Sequence, residues 1–362
     1  MEVHKRYSRN VKLHLIWQQE HLHLLWPYLN DMADRWASMR VVGKEWRETS
    51  LTELADPDGT PPLSFPALRQ LDLEGRNIVH DSNLDFLACG PAVRELRLRL
   101  WTARASGGEE RNTPIAPLRI SLPVSAVLTS LVVKVAGKAG LHSGCLYGAL
   151  QRCSATLEAM EITTNRTFGE REPIAMPRLR KLCVHSAACS LLQVLRMESL
   201  MTLWVNEWQE EDRGLELLSA AFEDGMIVGS TLRELQLTNV HHEDRSTSME
   251  LVISILEAAS SVEALALVYP EYEEHVPSCL DILTVLSQTR HGTRMPRLRS
   301  LTLAAGVNDG YDTTDCLERF LRTRDRADLH IITDIDDTLE DHMCTYTVMG
   351  EGVLDRYYLS RD

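Results

Sequence analysis

The chain has 362 residues, 44% hydrophobic and 25% charged, a balance that suits a folded globular protein and excludes collagen-like, low-complexity or disordered classes. Its 38 basic against 52 acidic residues leave a net charge of −14, which repels phosphate backbones and argues against nucleic-acid binding. No run of 18 apolar residues and no secretory leader occurs, so the expectation is no membrane contact, an intracellular (cytoplasmic or nuclear) setting and eight cysteines held as free thiols.

In chain order, Val11–Ile16 alternates as a strand does, His21–Ala33 has helical spacing around Pro27, and Ala37–Val42 reads as a second strand. Ala55–Leu63, with Pro57, Gly59, Pro61 and Pro62, is a surface loop. From Leu68 onward one phrase recurs: apolar, two variable, apolar, variable, apolar. It runs Leu68-Arg69-Gln70-Leu71-Asp72-Leu73, and further copies begin at Val93, Leu128, Leu157, Leu179, Leu200, Leu232, Val262 and Leu298. Phe65-Pro66, Met176-Pro177 and Met295-Pro296 each stand two residues ahead of a first leucine. Thr102–Pro117 is a second loop. Helical spacing appears between phrases at Leu146, Ala149, Leu150 and Cys153, at Val252, Ile255, Leu256 and Ala259, and at Leu280, Leu283 and Leu286, where Ser278 is placed as an N-cap. Leu329–Ile332 reads as a terminal strand, and the stretch from Val307 to Asp362 carries 14 acidic residues against 6 arginines.

Nine copies spaced about 29 residues apart match the leucine-rich-repeat phrase and its period. On a strand, the fourth and sixth residues share one face, and such a row is buried only when strands stack as a parallel sheet. The expected fold is therefore α/β: a leucine-rich-repeat solenoid, or horseshoe, with irregular repeats, a concave parallel sheet of ten to twelve strands and outer helices. Its parts are flanking or capping repeats over 1–64, repeats over 65–326, and a capping strand with an acidic tail over 327–362. The position eight residues after each first leucine, where the repeat family carries Asn or Cys, holds Arg76, Trp101, Ala136, Asn165, Ala187, Trp208, Val240, Pro270 and Gly306. Only Asn165 fits, so the turns must be satisfied without an asparagine ladder.

Three segments, Val11–Trp17, Asp34–Val41 and Phe65–Leu73, carry a resemblance to the repeat region of F-box/leucine-rich-repeat proteins of mushroom-forming fungi. In that family an F-box docks on a cullin-ligase adaptor while the repeats select the substrate. Here Val41-Val42-Gly43-Lys44-Glu45-Trp46-Arg47 echoes the end of an F-box, but the Leu-Pro opening is missing. The resemblance thus implies a box that is lost or reduced to a remnant over 22–48. A second resemblance, of Ile331–Leu339 to the first motif of haloacid-dehalogenase-like phosphatases, would make Asp334 a nucleophile and Asp336 an acid–base. That chemistry also needs a downstream lysine, and Lys181 is the last lysine of the chain.

No Cys-x-x-Cys, phosphate-binding glycine loop or Gly-x-Ser-x-Gly occurs, and the thirteen histidines lack metal spacing. The expectation is a non-enzymatic scaffold that binds a protein partner, with no cofactor, metal or catalytic residue. A substrate-recognition subunit of a cullin-type ubiquitin ligase is the alternative, and a phosphatase the remote one. The third, fifth and seventh phrase residues should line the binding face. Toward the N-terminus, Asp72 opposes Arg97 and Glu74 opposes Arg99, so these charges are expected to cancel. Trp204 stands mid-row, flanked by Lys181, His185, Thr202, Asn206, Glu234 and Gln236, the anatomy of a partner-binding hot spot.

Overall fold

The computed structural model describes residues 13–17, 34–43, 65–78, 83–84, 90–102, 119–120, 127–136, 142–207, 213–240, 244–269, 279–287, 295–305, 319–320, 330–333 and 345–348. The protein is α/β, dominated by parallel sheet with few helices. It divides into two compact units, Met1–Gly169 with Ile174–Arg178, and Glu170–Pro173 with Leu179–Asp362. The division falls between the fourth and fifth phrases, inside the 65–326 stretch that the sequence presents as unbroken.

In the first unit, β1 (Leu13–Trp17), β2 (Trp36–Gly43), β3 (Gln70–Ile78), β4 (Glu95–Thr102), β5 (Ser130–Ala136) and β6 (Ala159–Thr164) each pair in parallel with the next. Helix α1 (Ser143–Cys153) separates β5 from β6 in the chain. The second unit repeats the scheme with β7 (Lys181–Ser186), β8 (Thr202–Asn206), β9 (Glu234–Thr238), β10 (Ala264–Tyr269), β11 (Ser300–Ala305), β12 (His330–Thr333) and β13 (Thr345–Val348). A 3-10 helix (Ala187–Gln193) follows β7, and α2 (Gly214–Glu223), α3 (Arg245–Ala258) and α4 (Cys279–Ser287) follow β8, β9 and β10.

Register explains the core. Leu71, Leu96, Leu131 and Met160 stand opposite one another across β3 to β6, as do Leu203, Leu235, Leu265 and Leu301 across β8 to β11. The fourth and sixth residues of all nine phrases lie inside these strands, and every first, fourth and sixth residue is at most 7% exposed. At roughly 1.5–3 kcal/mol for each large apolar side chain, this row is the main source of stability.

The missing asparagine ladder has a backbone counterpart at the strand entries. The carbonyl of the second phrase residue accepts two N–H groups from the next repeat: Arg69 from Arg94 and Glu95, Arg94 from Thr129 and Ser130, and Thr129 from Glu158 and Ala159. In the second unit Arg180, Met201, Arg233 and Glu263 do the same. Ahead of the strands, the Leu68 N–H donates to the Phe65 carbonyl and the Leu298 N–H to the Met295 carbonyl, both at 3.1 Å. Pro66 and Pro296 thus occupy the second turn position, where a preset φ is favourable. Asn165 is exposed, so even the one position that fits the family pattern is not a buried ladder residue.

The expected apolar positions of α1 and α3 (Leu146, Ala149, Leu150, Cys153; Val252, Ile255, Leu256, Ala259) are all buried. The strands expected at Val11–Ile16, Ala37–Val42 and Leu329–Ile332 occur within one or two residues of those bounds. Helix α2 and strand β13 are additions to the sequence reading, as is the 3-10 helix. In that last element Ala187 to Leu192 are all buried, so no polar face marks a period. The helix expected over 21–33, the Ala55–Leu63 loop, Ser278, Trp208 and the Asp334–Asp337 run lie outside the described residues.

Candidate functional site

The third, fifth and seventh phrase residues take the face opposite the leucines, and the two units use it differently. In the first unit it is an ion-pair network. Arg40 reaches Asp72 at 3.6 Å and Glu74 at 3.7 Å, Arg99 reaches Glu74 at 3.4 Å, and Lys134 meets Glu161 at 2.8 Å. The expected Glu74–Arg99 pair is present. The expected Asp72–Arg97 pair is not: Asp72 turns to Arg40 on its other flank, and Arg97 is exposed with no ion pair among the described residues. Both arginines stand directly opposite Asp72 in register, Arg40 on β2 and Arg97 on β4, and the pair forms with Arg40, whose one guanidinium serves Asp72 and Glu74 together.

In the second unit the same face centres on Trp204, the half-buried fifth residue of its phrase. Its indole Nε1 donates to Glu234 Oε1 at 3.0 Å, while the Thr202 hydroxyl donates to Glu234 Oε2 at 3.3 Å. Both oxygens of one carboxylate are thereby occupied. Above the ring lies the Lys181 ammonium, 4.1 Å from its centroid, a cation–π contact. The arrangement follows from the pairing of Lys181 with Thr202, and of Thr202 with Glu234, in three successive strands. At ~4.8 Å between strands, Glu234 can touch Thr202 directly opposite and Trp204 on the diagonal. Gln236 stands opposite Trp204 and donates to the Thr238 hydroxyl at 3.2 Å. Next in register come Ala264 and Ala266, opposite Glu234 and Gln236, a stretch without bulky side chains.

Four predicted site residues, Lys181, Thr202, Trp204 and Glu234, are therefore in direct contact, and Gln236 borders them. His185 and Asn206 are corrections to the expected ring of polar groups. Each is only 4% exposed, so neither is presented to a partner. Of the seventh phrase residues in this unit, His185, Asn206, Thr238 and Val268 are buried, the last two completely, and the simple in–out alternation stops before those strands end. Arg180 is the residue that sequence reasoning passed over: it is exposed beside Lys181 and has no ion pair among the described residues. Its signal was the run of cations Arg178, Arg180 and Lys181 in a segment with no acidic residue between Glu172 and Glu198.

Among the described residues no three His, Cys, Asp or Glu side chains are grouped to hold a metal ion. Cys145, Cys153, Cys183 and Cys189 are not joined in disulfides among the described residues. Burial pushes the Cys153 thiol up to about 11, and its Sγ–H donates to the Ala149 carbonyl at 3.2 Å, so it is a protonated core group at neutral pH. No helix among the described residues is long and apolar enough to cross a membrane. No protein-family model matches the chain, and no curated protein is similar to it in sequence.

Proposed function

We propose that the protein is a leucine-rich-repeat solenoid, a horseshoe with its parallel sheet on the concave side, that acts as a non-enzymatic protein-interaction scaffold. Burial of the first, fourth and sixth residues in all nine phrases carries this reading. One sheet face is given wholly to the core, while the other keeps Lys181 exposed and Trp204, Thr202 and Glu234 half-buried. Within that face the partner's contact centres on Trp204, where an aromatic ring is held by satisfied polar groups, the usual anatomy of an interface hot spot. The ligase-subunit alternative needs a helical box over 22–48. Strand β2 crosses that segment at Trp36–Gly43, which supports the scaffold.

The test is affinity capture with the intact chain and two variants, Trp204→Ala and Arg97→Ala, each checked for native circular dichroism. Trp204→Ala should weaken partner recovery at least tenfold, as expected for an anchor residue. Arg97→Ala, on the ion-paired face of the first unit, should leave recovery unchanged. Undiminished capture by Trp204→Ala overturns the placement.

A further inference from the structure

Granted the scaffold reading, we propose that the Trp204 platform takes an acidic, extended peptide segment of a protein partner, one carboxylate seated on Lys181 and the chain continuing along the row toward Ala264 and Ala266. The inference comes from which charges are already used. Both oxygens of Glu234 accept hydrogen bonds from Trp204 and Thr202 and are turned into the platform. The Lys181 ammonium contacts only a ring face, and it makes no salt bridge or hydrogen bond among the described residues. Arg180, its neighbour in the chain, is exposed and also without an ion pair among them. The charge still open to a visitor is thus positive, although the chain as a whole carries −14.

A basic segment would bring like charges together, and an apolar one would cover the Lys181 donors without satisfying them. A carboxylate satisfies them directly. Because the indole already holds the ammonium in place, less freedom is lost when the anion arrives. Ala264 and Ala266, opposite Glu234 and Gln236, are half-buried and present only methyl groups along that row.

The experiment is selection of a random decapeptide phage library against the intact chain, with Lys181→Glu and Lys181→Met chains as counter-targets. The recovered peptides should be enriched in Asp and Glu, and synthetic copies should bind at least tenfold more weakly to Lys181→Glu. They should also bind more weakly to Lys181→Met, which keeps the apolar stem over the ring, and should lose affinity as salt is raised. No enrichment in acidic residues, or equal binding to the Lys181 variants, overturns the proposal. If recovered peptides are neutral or basic and still fail on Trp204→Ala, the acidic specificity falls and the platform stands. If they bind Lys181→Glu and Trp204→Ala alike, both fall.

Discussion

On the face opposite the leucines, the first unit carries Arg40, Asp72, Glu74, Arg99, Lys134 and Glu161, bound to one another in ion pairs across β2 to β6. The third, fifth and seventh phrase residues of the second unit include one ammonium, one carboxylate, an indole and an imidazole, with the rest uncharged. On the leucine face the units are interchangeable: Leu98 and Leu237, each the sixth residue of its phrase, are both fully buried. The contrast shows where the repeat constrains its sequence. Core positions must be apolar in every copy because each strand shields its neighbours. Outward positions answer only to their cross-strand partners, so one unit ties most of its charges into ion pairs and leaves Arg97 over, while the other sets a cation on a ring.

The largest expected effect tests the shared face. Leu98→Ala and Leu237→Ala should each cost about 2–5 kcal/mol in urea denaturation, because the cavities lie in equivalent rows. A large loss in one and little in the other would mean that the two rows are not equivalent. A second effect belongs to the first unit. The Cys153 thiol is pushed up to about 11 from 9.0. Its folded form therefore holds the proton longer than the unfolded chain, its contribution is complete below pH 9.0, and it is lost as pH rises through about 11. The loss should approach roughly 3 kcal/mol. Cys153→Ala should flatten that alkaline limb while lowering stability at neutral pH by about 1 kcal/mol. An unchanged alkaline profile would show that the thiol is not the group responsible.

The smallest effect probes the charged face directly. Glu74→Gln removes the carboxylate shared by Arg40 and Arg99 and should cost about 1 kcal/mol or less at low salt, fading at about 1 M salt where screening is nearly complete. Arg97→Ala, without an ion pair among the described residues, should stay within about 0.5 kcal/mol under both conditions. Equal, salt-sensitive losses in the two variants would restore the Asp72–Arg97 pairing that the sequence suggested.

What could be read from the sequence was whatever repeats or alternates. The phrase located the nine strands, their buried residues and two helical faces, because a row of stacked strands imposes the same apolar spacing on every copy. The same alternation singled out Trp204 with Lys181, Thr202 and Glu234 as members of one face. Three features needed the tertiary structure. The first is that Asp72 pairs with Arg40, which depends on β2 lying beside β3, although β2 carries no phrase that would mark it as a neighbour. The second is the burial of His185 and Asn206, which a period of two assigns to the open face and only the surroundings of the strand ends can close off. The last is how the strand entries are satisfied. The carbonyls of Arg69, Arg180 and Arg233 each take two amides from the next repeat, and a backbone hydrogen bond leaves no mark on the side chains that a sequence records.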